Sequence, residues 1–365
     1  GFLWGGNKVR KLEFIFADYL CKERARNNKR QPFVITGGGE QSNHARATAY
    51  LANLLGLECF AVVRENQQQK TVPAHHRSKD APPSDQTICQ QPPITMDHEG
   101  MAYWPSSGNL FLLKLLSPHR IRRVSARQYR DYGASQLFHI MKDQILAQDT
   151  HNQLTDHPLI VPIGASNPLG AFGYIDAIRE LIEQHYPQGY DVERDGPPKV
   201  PYDDLVVSTG SGGMVSGLAI GAHLADLRSS RTNAPVKVHG IAVCDNQQAF
   251  LDVCQTDIDA LLKEEHRVEA SSIVRIDDHF KGIGYGLSTQ EEIQFMVDVL
   301  RQSSVMLDPT YTCKGARGLL HNQMGQFKDR HVLFWHSGGQ LGTFDNQKIQ
   351  MMDQIIHGQT KDEPK

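Results

Sequence analysis

Apolar positions along this chain alternate between two rhythms. "KLEFIFADYL" sets Leu12, Ile15, Phe16, Tyr19 and Leu20 at helical spacing. "FVITGGG" (33–39) is a short apolar run closed by glycines and predicts a buried strand ending in a loop. "HARATAYLANLLG" (44–56) predicts a helix with a glycine stop, and "CFAVV" (59–63) a second strand. The beat returns later: "LIVPIG" (159–164) precedes a helix through "GYIDAIRELIEQH", "DLVVSTG" (204–210) precedes "MVSGLAIGAHLADL", and "VKVHGIAV" (236–243) follows. Strands that read as continuous apolar runs between helices predict mostly parallel sheets covered on both faces. The fold class is α/β, with more strands than one sheet comfortably explains.

Two stretches break the rhythm. Residues 65–105, rich in Gln, Pro, Asp and Ser, show no apolar period and read as a mobile insertion. The tail "KDEPK" reads as frayed. The chain opens on "GFLW" without a methionine, so an upstream segment, and with it any targeting peptide, is expected to precede it. At 365 residues and 39% hydrophobic content, the chain is long enough for about two domains with sizeable cores. No apolar run reaches the roughly 18 residues that span a bilayer. A net charge of −3 points to neither nucleic acid nor an acidic membrane as partner. The six cysteines are scattered with no C-x-x-C, which suits a reducing compartment, here taken as the cytoplasm. No histidine set has metal-ligand spacing, so no metal is expected.

The chemistry lies in loops at strand ends, where open α/β sheets bind ligands. "TGGGEQSNH" (36–44) offers three glycines and then a cluster of hydrogen-bonding side chains. "STGSGGMVSG" (208–217) ends a strand and starts a helix, so its backbone N–H groups and the helix terminus make an anion cradle. It fits neither the P-loop nor the dinucleotide fingerprint, and it suits a single phosphate monoester. "FWHSGGQLG" (334–342) is a third strand running into polar residues and glycines. Near the start, "GGNKVRKLEF" (5–14) sets Lys8 in a glycine turn, where it is either a solvated helix-start charge or a nucleophile. A lysine, a phosphate cradle and a Ser-Asn-His loop on one α/β scaffold are the parts of a pyridoxal-phosphate site.

The segments "GGNKVRKLEF", "QSNHARATA", "SGNLFLLKLL", "IGASNPLGAFGYIDA", "STGSGGMVSGL", "GYGLS", "LDPTYTCKGARGL" and "HSGGQLGTF" occur in an order that resembles the D-cysteine desulfhydrase and 1-aminocyclopropane-1-carboxylate deaminase family. These are tryptophan-synthase-β-like, fold-type-II pyridoxal-phosphate enzymes, and the resemblance covers nearly the whole chain. It implies two open α/β domains with the cofactor between them: 1–10 with 156–365 as the larger, 11–155 as the smaller. It implies Lys8 as the Schiff-base lysine and Lys11 as a phosphate contact. Gly210, Ser211, Gly212, Gly213 and Met214 match the phosphate cup, with Met214 standing where relatives usually carry threonine. Asn43 matches the partner of the ring oxygen, and Gln41, Ser42 and His44 the substrate-carboxylate loop. Tyr285 and Tyr311 match tyrosines near substrate and leaving group.

Two positions separate the activities within the family. Deaminases place glutamate after the tyrosine of the "DP-x-Y" motif and leucine before the last Gly-Gly; this chain has Thr312 and Ser337. A neutral partner for the pyridine nitrogen makes a weaker electron sink, sufficient for a good leaving group such as thiolate. The resemblance therefore implies a carbon–sulfur lyase that turns D-cysteine into pyruvate, hydrogen sulfide and ammonia. Lys8 is the first candidate for the α-proton base and Ser42 the second. Alternatives are a cyclopropane deaminase, another synthase or dehydratase of the superfamily, and a non-catalytic pyridoxal-phosphate binder. A homodimer acting on a small amino acid is expected.

Overall fold

The computed structural model describes residues 6–27, 29–65, 107–321 and 325–357. The expected insertion, beyond Glu65, and the tail "KDEPK" lie outside the described residues. The first part of the chain forms α1 (Lys8–Arg26), β1 (Phe33–Gly39), α2 (Asn43–Leu54), β2 (Glu58–Arg64), α3 (Gly108–Leu116), β3 (Ile121–Val124), α4 (Ala126–Gln148) and β4 (Leu159–Ile160). It continues with α5 (Pro168–His185), α6 (Val192–Asp195), β5 (Lys199–Val200), β6 (Asp204–Thr209), α7 (Gly213–Leu224), β7 (Arg228–Ser229) and β8 (Lys237–Ala242). The last elements are α8 (Gln247–Leu261), α9 (Ala270–Ile273), β9 (Val274–Asp277), α10 (Gln290–Ser303), α11 (Thr312–Leu320), β10 (Val332–Trp335) and α12 (Asn346–Ile356).

The strands make two four-stranded parallel sheets, β3-β2-β1-β4 and β10-β6-β8-β9, plus the small parallel pair β5-β7. This is the α/β class expected, and the surplus of strands resolves into two sheets. Alternation of side chains along β1 explains why its run is apolar throughout. Val34 packs with Leu12 and Phe16 of α1 and Leu51 of α2, while Phe33 and Ile35 pack with Phe138 and Met141 of α4. Around β6, Leu205 and Val207 join Tyr174, Leu218 and Ile258 in the core of the second sheet.

The run "LIVPIG" forms less strand than its apolarity predicts. Only Leu159 and Ile160 pair with β1, because Pro162 has no N–H to donate and Gly164 turns to φ 70. The segment becomes a 3₁₀ turn over Ile163–Ala165, with Ala165 also at positive φ. That turn brings the Gly164 carbonyl to the two lysines described below. Among the described residues, no helix is long and apolar enough to cross a membrane.

Helices α5 and α7 cross at Gly217, where a Cβ would lie 2.1 Å from the Ala171 carbonyl oxygen. Backbone cannot give way as a flexible side chain can, so Gly217→Ala should lower stability by about 1–3 kcal/mol. The expected readout is a lower urea midpoint with an unchanged denaturant slope. An unchanged midpoint would mean that the two helices are free to separate.

Candidate active site

Gly6 and Gly338 set the entrance to α1. Gly338 stands at φ 78, and a Cβ on it would lie 2.6 Å from the Gly6 Cα. This close backbone approach lets the Asn7 N–H donate to the Ser337 carbonyl at 2.9 Å. Helix α1 therefore begins, at Lys8, against the loop that follows β10. Lys8 is only 7% exposed and Lys11, one turn on, 1%. Both ammonium groups donate to a single acceptor, the Gly164 carbonyl, each at 3.3 Å. Among the described residues, neither has a carboxylate at ion-pair distance. Burial pulls the Lys8 pKa down to about 8. Burial, and then the charge of Lys8, holds Lys11 well below the ordinary lysine range.

The glycine loop after β6 faces Lys11. Gly212 caps α7 at φ 82. The Gly213 N–H donates to the Ser166 hydroxyl at 2.8 Å, and that hydroxyl donates to the Ser211 carbonyl. A Cβ on Gly213 would lie 2.6 Å from Ser166 Oγ and 3.0 Å from Lys11 Nζ. A buried ammonium and a helix N-terminus thus converge at one glycine, and this arrangement suits a phosphate monoester. Met214, buried at the same turn, accepts a hydrogen bond at its Sδ from Asn7 Nδ2 at 3.5 Å. Gly210 lies under Tyr311, whose ring a Cβ there would meet at 2.9 Å.

Across the cleft, Ser42 caps α2, its hydroxyl accepting from the Ala45 N–H at 3.1 Å. Asn109, 1% exposed at the start of α3, organises the residues on either side of Ser42. Its backbone N–H donates to Gln41 Oε1 at 2.9 Å, and its side-chain amide donates to the Gln41 carbonyl at 3.2 Å and to Asn43 Oδ1 at 3.0 Å. The acceptor of the Asn43 amide is thereby used. Its NH2 remains for the cleft. Arg46 Nε donates to Asn109 Oδ1 at 2.8 Å and holds that amide's orientation. The His44 ring turns to β1, its Nε2 lying 2.9 Å from Thr36 Oγ1, while its buried Nδ1 has no partner among the described residues. Burial, then Lys8 and Lys11, hold the His44 pKa far below the ordinary value, so the ring is a neutral imidazole.

A small cleft is lined by Gly6, Asn7, Lys8, Asn43, Tyr311, Ser337, Gly338 and Gly339. Of the expected residues, Lys8, Asn43, Tyr311 and Ser337 meet there directly. Tyr285 joins through its hydroxyl, 2.5 Å from that of Tyr311. Burial and the neighbouring Tyr285 raise the Tyr311 pKa well above the ordinary phenol value, so Tyr311 carries its proton. Thr312 does not line this cleft. It is fully buried and its hydroxyl is committed to Asp308, donating to Oδ1 at 2.8 Å and accepting from the backbone N–H at 2.6 Å. Asp308 also accepts from the N–H groups of Thr310, Tyr311 and Thr312, which fixes the start of α11. The pattern reading overlooked Gly164, Ser166 and Asn109. The glycine and proline of "IGASNP" and the "SGN" before α3 were the available signals.

Residues 112–338 match the family model described as "Pyridoxal-phosphate dependent enzyme". The chain belongs to that family. It is 31% identical over 98% of its length to an Arabidopsis thaliana protein named bifunctional D-cysteine desulfhydrase/1-aminocyclopropane-1-carboxylate deaminase, mitochondrial, covering 73% of that relative. It is 28% identical over 93% of its length to a putative 1-aminocyclopropane-1-carboxylate deaminase of Thermotoga maritima, covering 85% of it. The crystal structure of an ACC deaminase homologue superposes with a TM-score of 0.64 at 23% identity, over 96% of this chain and 84% of that one, and shows the shared fold. The resemblance read from the sequence is thus borne out, and pyridoxal phosphate is the cofactor of this enzyme family. The two buried ammonium groups, which share one carbonyl acceptor, and the cradle at Gly213 fit such a cofactor.

With its pKa near 8 rather than 10.5, Lys8 becomes a neutral amine at much lower pH than a solvated lysine. Borohydride trapping of pyridoxal phosphate on cofactor-free protein should rise through about pH 8, with the label on Lys8. A midpoint near 10.5 would place Lys8 in water.

Proposed function

We propose that this enzyme eliminates thiolate from D-cysteine and yields pyruvate, hydrogen sulfide and ammonia. The observation that carries the proposal is Lys8, an amine buried with no counter-charge at ion-pair distance among the described residues, at the cleft that Asn43 and Tyr311 also line. When bound, pyridoxal phosphate supplies an aldehyde for an amine and a conjugated ring that takes up the electron pair left by the α-proton. Lys11, Ser211, the backbone of Gly210, Gly212 and Gly213, and the turn of Met214 would hold its phosphate. The free NH2 of Asn43 would donate to the ring oxygen, and Thr312 would stand near the ring nitrogen. The loop that runs through Gln41, Ser42, Asn43 and His44 would receive the substrate carboxylate, with Ser337 beside it.

In this reading Lys8, as a neutral amine, takes the proton from Cα; Ser42 is the second candidate for that step. The Tyr285–Tyr311 pair lies by the departing sulfur. Tyr311 keeps its proton and donates a hydrogen bond to the sulfur, which leaves as hydrosulfide when the C–S bond breaks. The resulting 2-aminoacrylate reacts with water to give pyruvate and ammonia. The Arabidopsis relative's name carries both activities, and Thr312 and Ser337 favour the sulfur substrate. Thr312 offers a hydroxyl already bonded to Asp308 in place of a free carboxylate. We further assign residues 1–10 with 156–365 and 11–155 to two domains closing on substrate, in a homodimer. Free thiols at Cys21, Cys59, Cys244, Cys254 and Cys313 suit a reducing compartment, the cytoplasm in the simplest case.

The test is sulfide and pyruvate release from D-cysteine, L-cysteine and 1-aminocyclopropane-1-carboxylate, each offered separately to reconstituted enzyme. Equal amounts of sulfide and pyruvate from D-cysteine alone are expected, and Lys8→Ala should lower that rate at least about 1000-fold. Ammonia from the cyclopropane substrate without sulfide from cysteine would move the protein to the deaminases. A cofactor-loaded protein silent on all three would overturn the lyase assignment.

A further inference from the structure

The loop Lys281–Leu287 carries Tyr285, and besides the contacts of Lys314 it is tied by Lys281 Nζ donating to the Asp245 carbonyl at 2.6 Å and by the Leu287 N–H donating to the Gly284 carbonyl at 3.3 Å. Gly282, Gly284 and Gly286 all stand at positive φ, and Ile283 and Tyr285 are 63% and 41% exposed. Beneath it lies Lys314, with no exposed surface, on the first turn of α11. Its ammonium donates to the Lys281 carbonyl at 2.5 Å and to the Gly284 carbonyl at 2.8 Å. Glu292, also fully buried, packs under Gly282, where a Cβ would lie 2.5 Å from its Oε1. Its carboxylate supports the charge of Lys314 against burial. A buried ammonium is costly, and an apolar side chain would fill the same space without that penalty. What an apolar side chain cannot do is grip two carbonyls.

We propose that Lys314 is a positioning residue, the clamp that holds the Tyr285 loop so that the Tyr285 hydroxyl meets Tyr311. One stretch of chain then carries both members of the arrangement, since Tyr311 immediately precedes α11 at its N-cap and Lys314 follows three residues later. Loss of the clamp frees the loop without touching Lys8, the glycine cradle or the Asn43 loop. Its kinetic consequence rests on the lyase reading above. Its structural consequence does not.

The experiment uses cofactor-loaded enzyme as wild type, Lys314→Met, Tyr285→Phe and the double variant. In Lys314→Met, amide hydrogen exchange over residues 281–288 should quicken at least about tenfold, with the amides of α7 unchanged. D-Cysteine turnover should fall about 10- to 100-fold through kcat while the absorbance of the bound cofactor is retained. Because both changes act through one hydroxyl, the double variant should lose no more than about twofold beyond Tyr285→Phe alone. Unchanged exchange in the loop, or fully additive kinetic losses, would overturn the proposal. Quickened exchange in an enzyme inert to D-cysteine would uphold the clamp and overturn the substrate instead. Should Lys314→Met fail to fold, Lys314→Gln, polar but too short to reach both carbonyls, takes its place with the same expectations.

Discussion

Two ammonium groups buried three residues apart and sharing one carbonyl oxygen are the constraint around which this site is built. Placing Lys8 and Lys11 out of water with no carboxylate at ion-pair distance among the described residues is unfavourable, and the charge of Lys8 makes Lys11 harder still to charge. The Gly164 carbonyl relieves part of that cost. The remainder is left for an anion and for deprotonation. Lys8 is therefore poised near neutrality, and Lys11 sits beside a helix terminus that favours negative charge. His44, close to both, stays neutral for the same reason.

The surrounding loops are fixed by polar groups that bond backbone, so the cleft does not depend on flexible surface side chains. Asn109 holds the residues flanking Ser42, Asp308 holds the start of α11, and Ser166 spans the glycine loop. Each is a short side chain satisfying N–H or C=O groups that a tight turn would otherwise leave unpaired. Such bonds define positions within tenths of an ångström, which proton transfer at a single carbon requires.

Thr312 shows how a substitution changes meaning in its setting. In sequence it reads as a neutral residue where the resemblance to the deaminases leads one to expect glutamate. In the structure it is bonded to a buried acid, Asp308, through both its backbone and its hydroxyl. The carboxylate is present in the neighbourhood, and the threonine stands bonded to it.

Local pattern determined much of this protein by itself. The apolar runs at 33–39, 59–63, 204–210 and 236–243 became strands, because continuous apolarity between helices has few other solutions than a buried parallel sheet. Glycine-rich strand ends located the loops that carry the chemistry, since only glycine tolerates their φ angles and close approaches. The same reasoning overestimated the strand at 159–164, where a proline and a left-handed glycine outweigh apolarity. Tertiary structure alone decided which groups meet. Lys8 and Lys11 reach Gly164 across more than 150 positions, Arg46 and Asn43 reach Asn109 across more than 60, and Lys314 reaches back to Gly284. Hydrogen bonds of that span leave no periodicity in the chain. A lysine in a glycine turn reads the same whether it is solvated or buried, until packing removes the water around it.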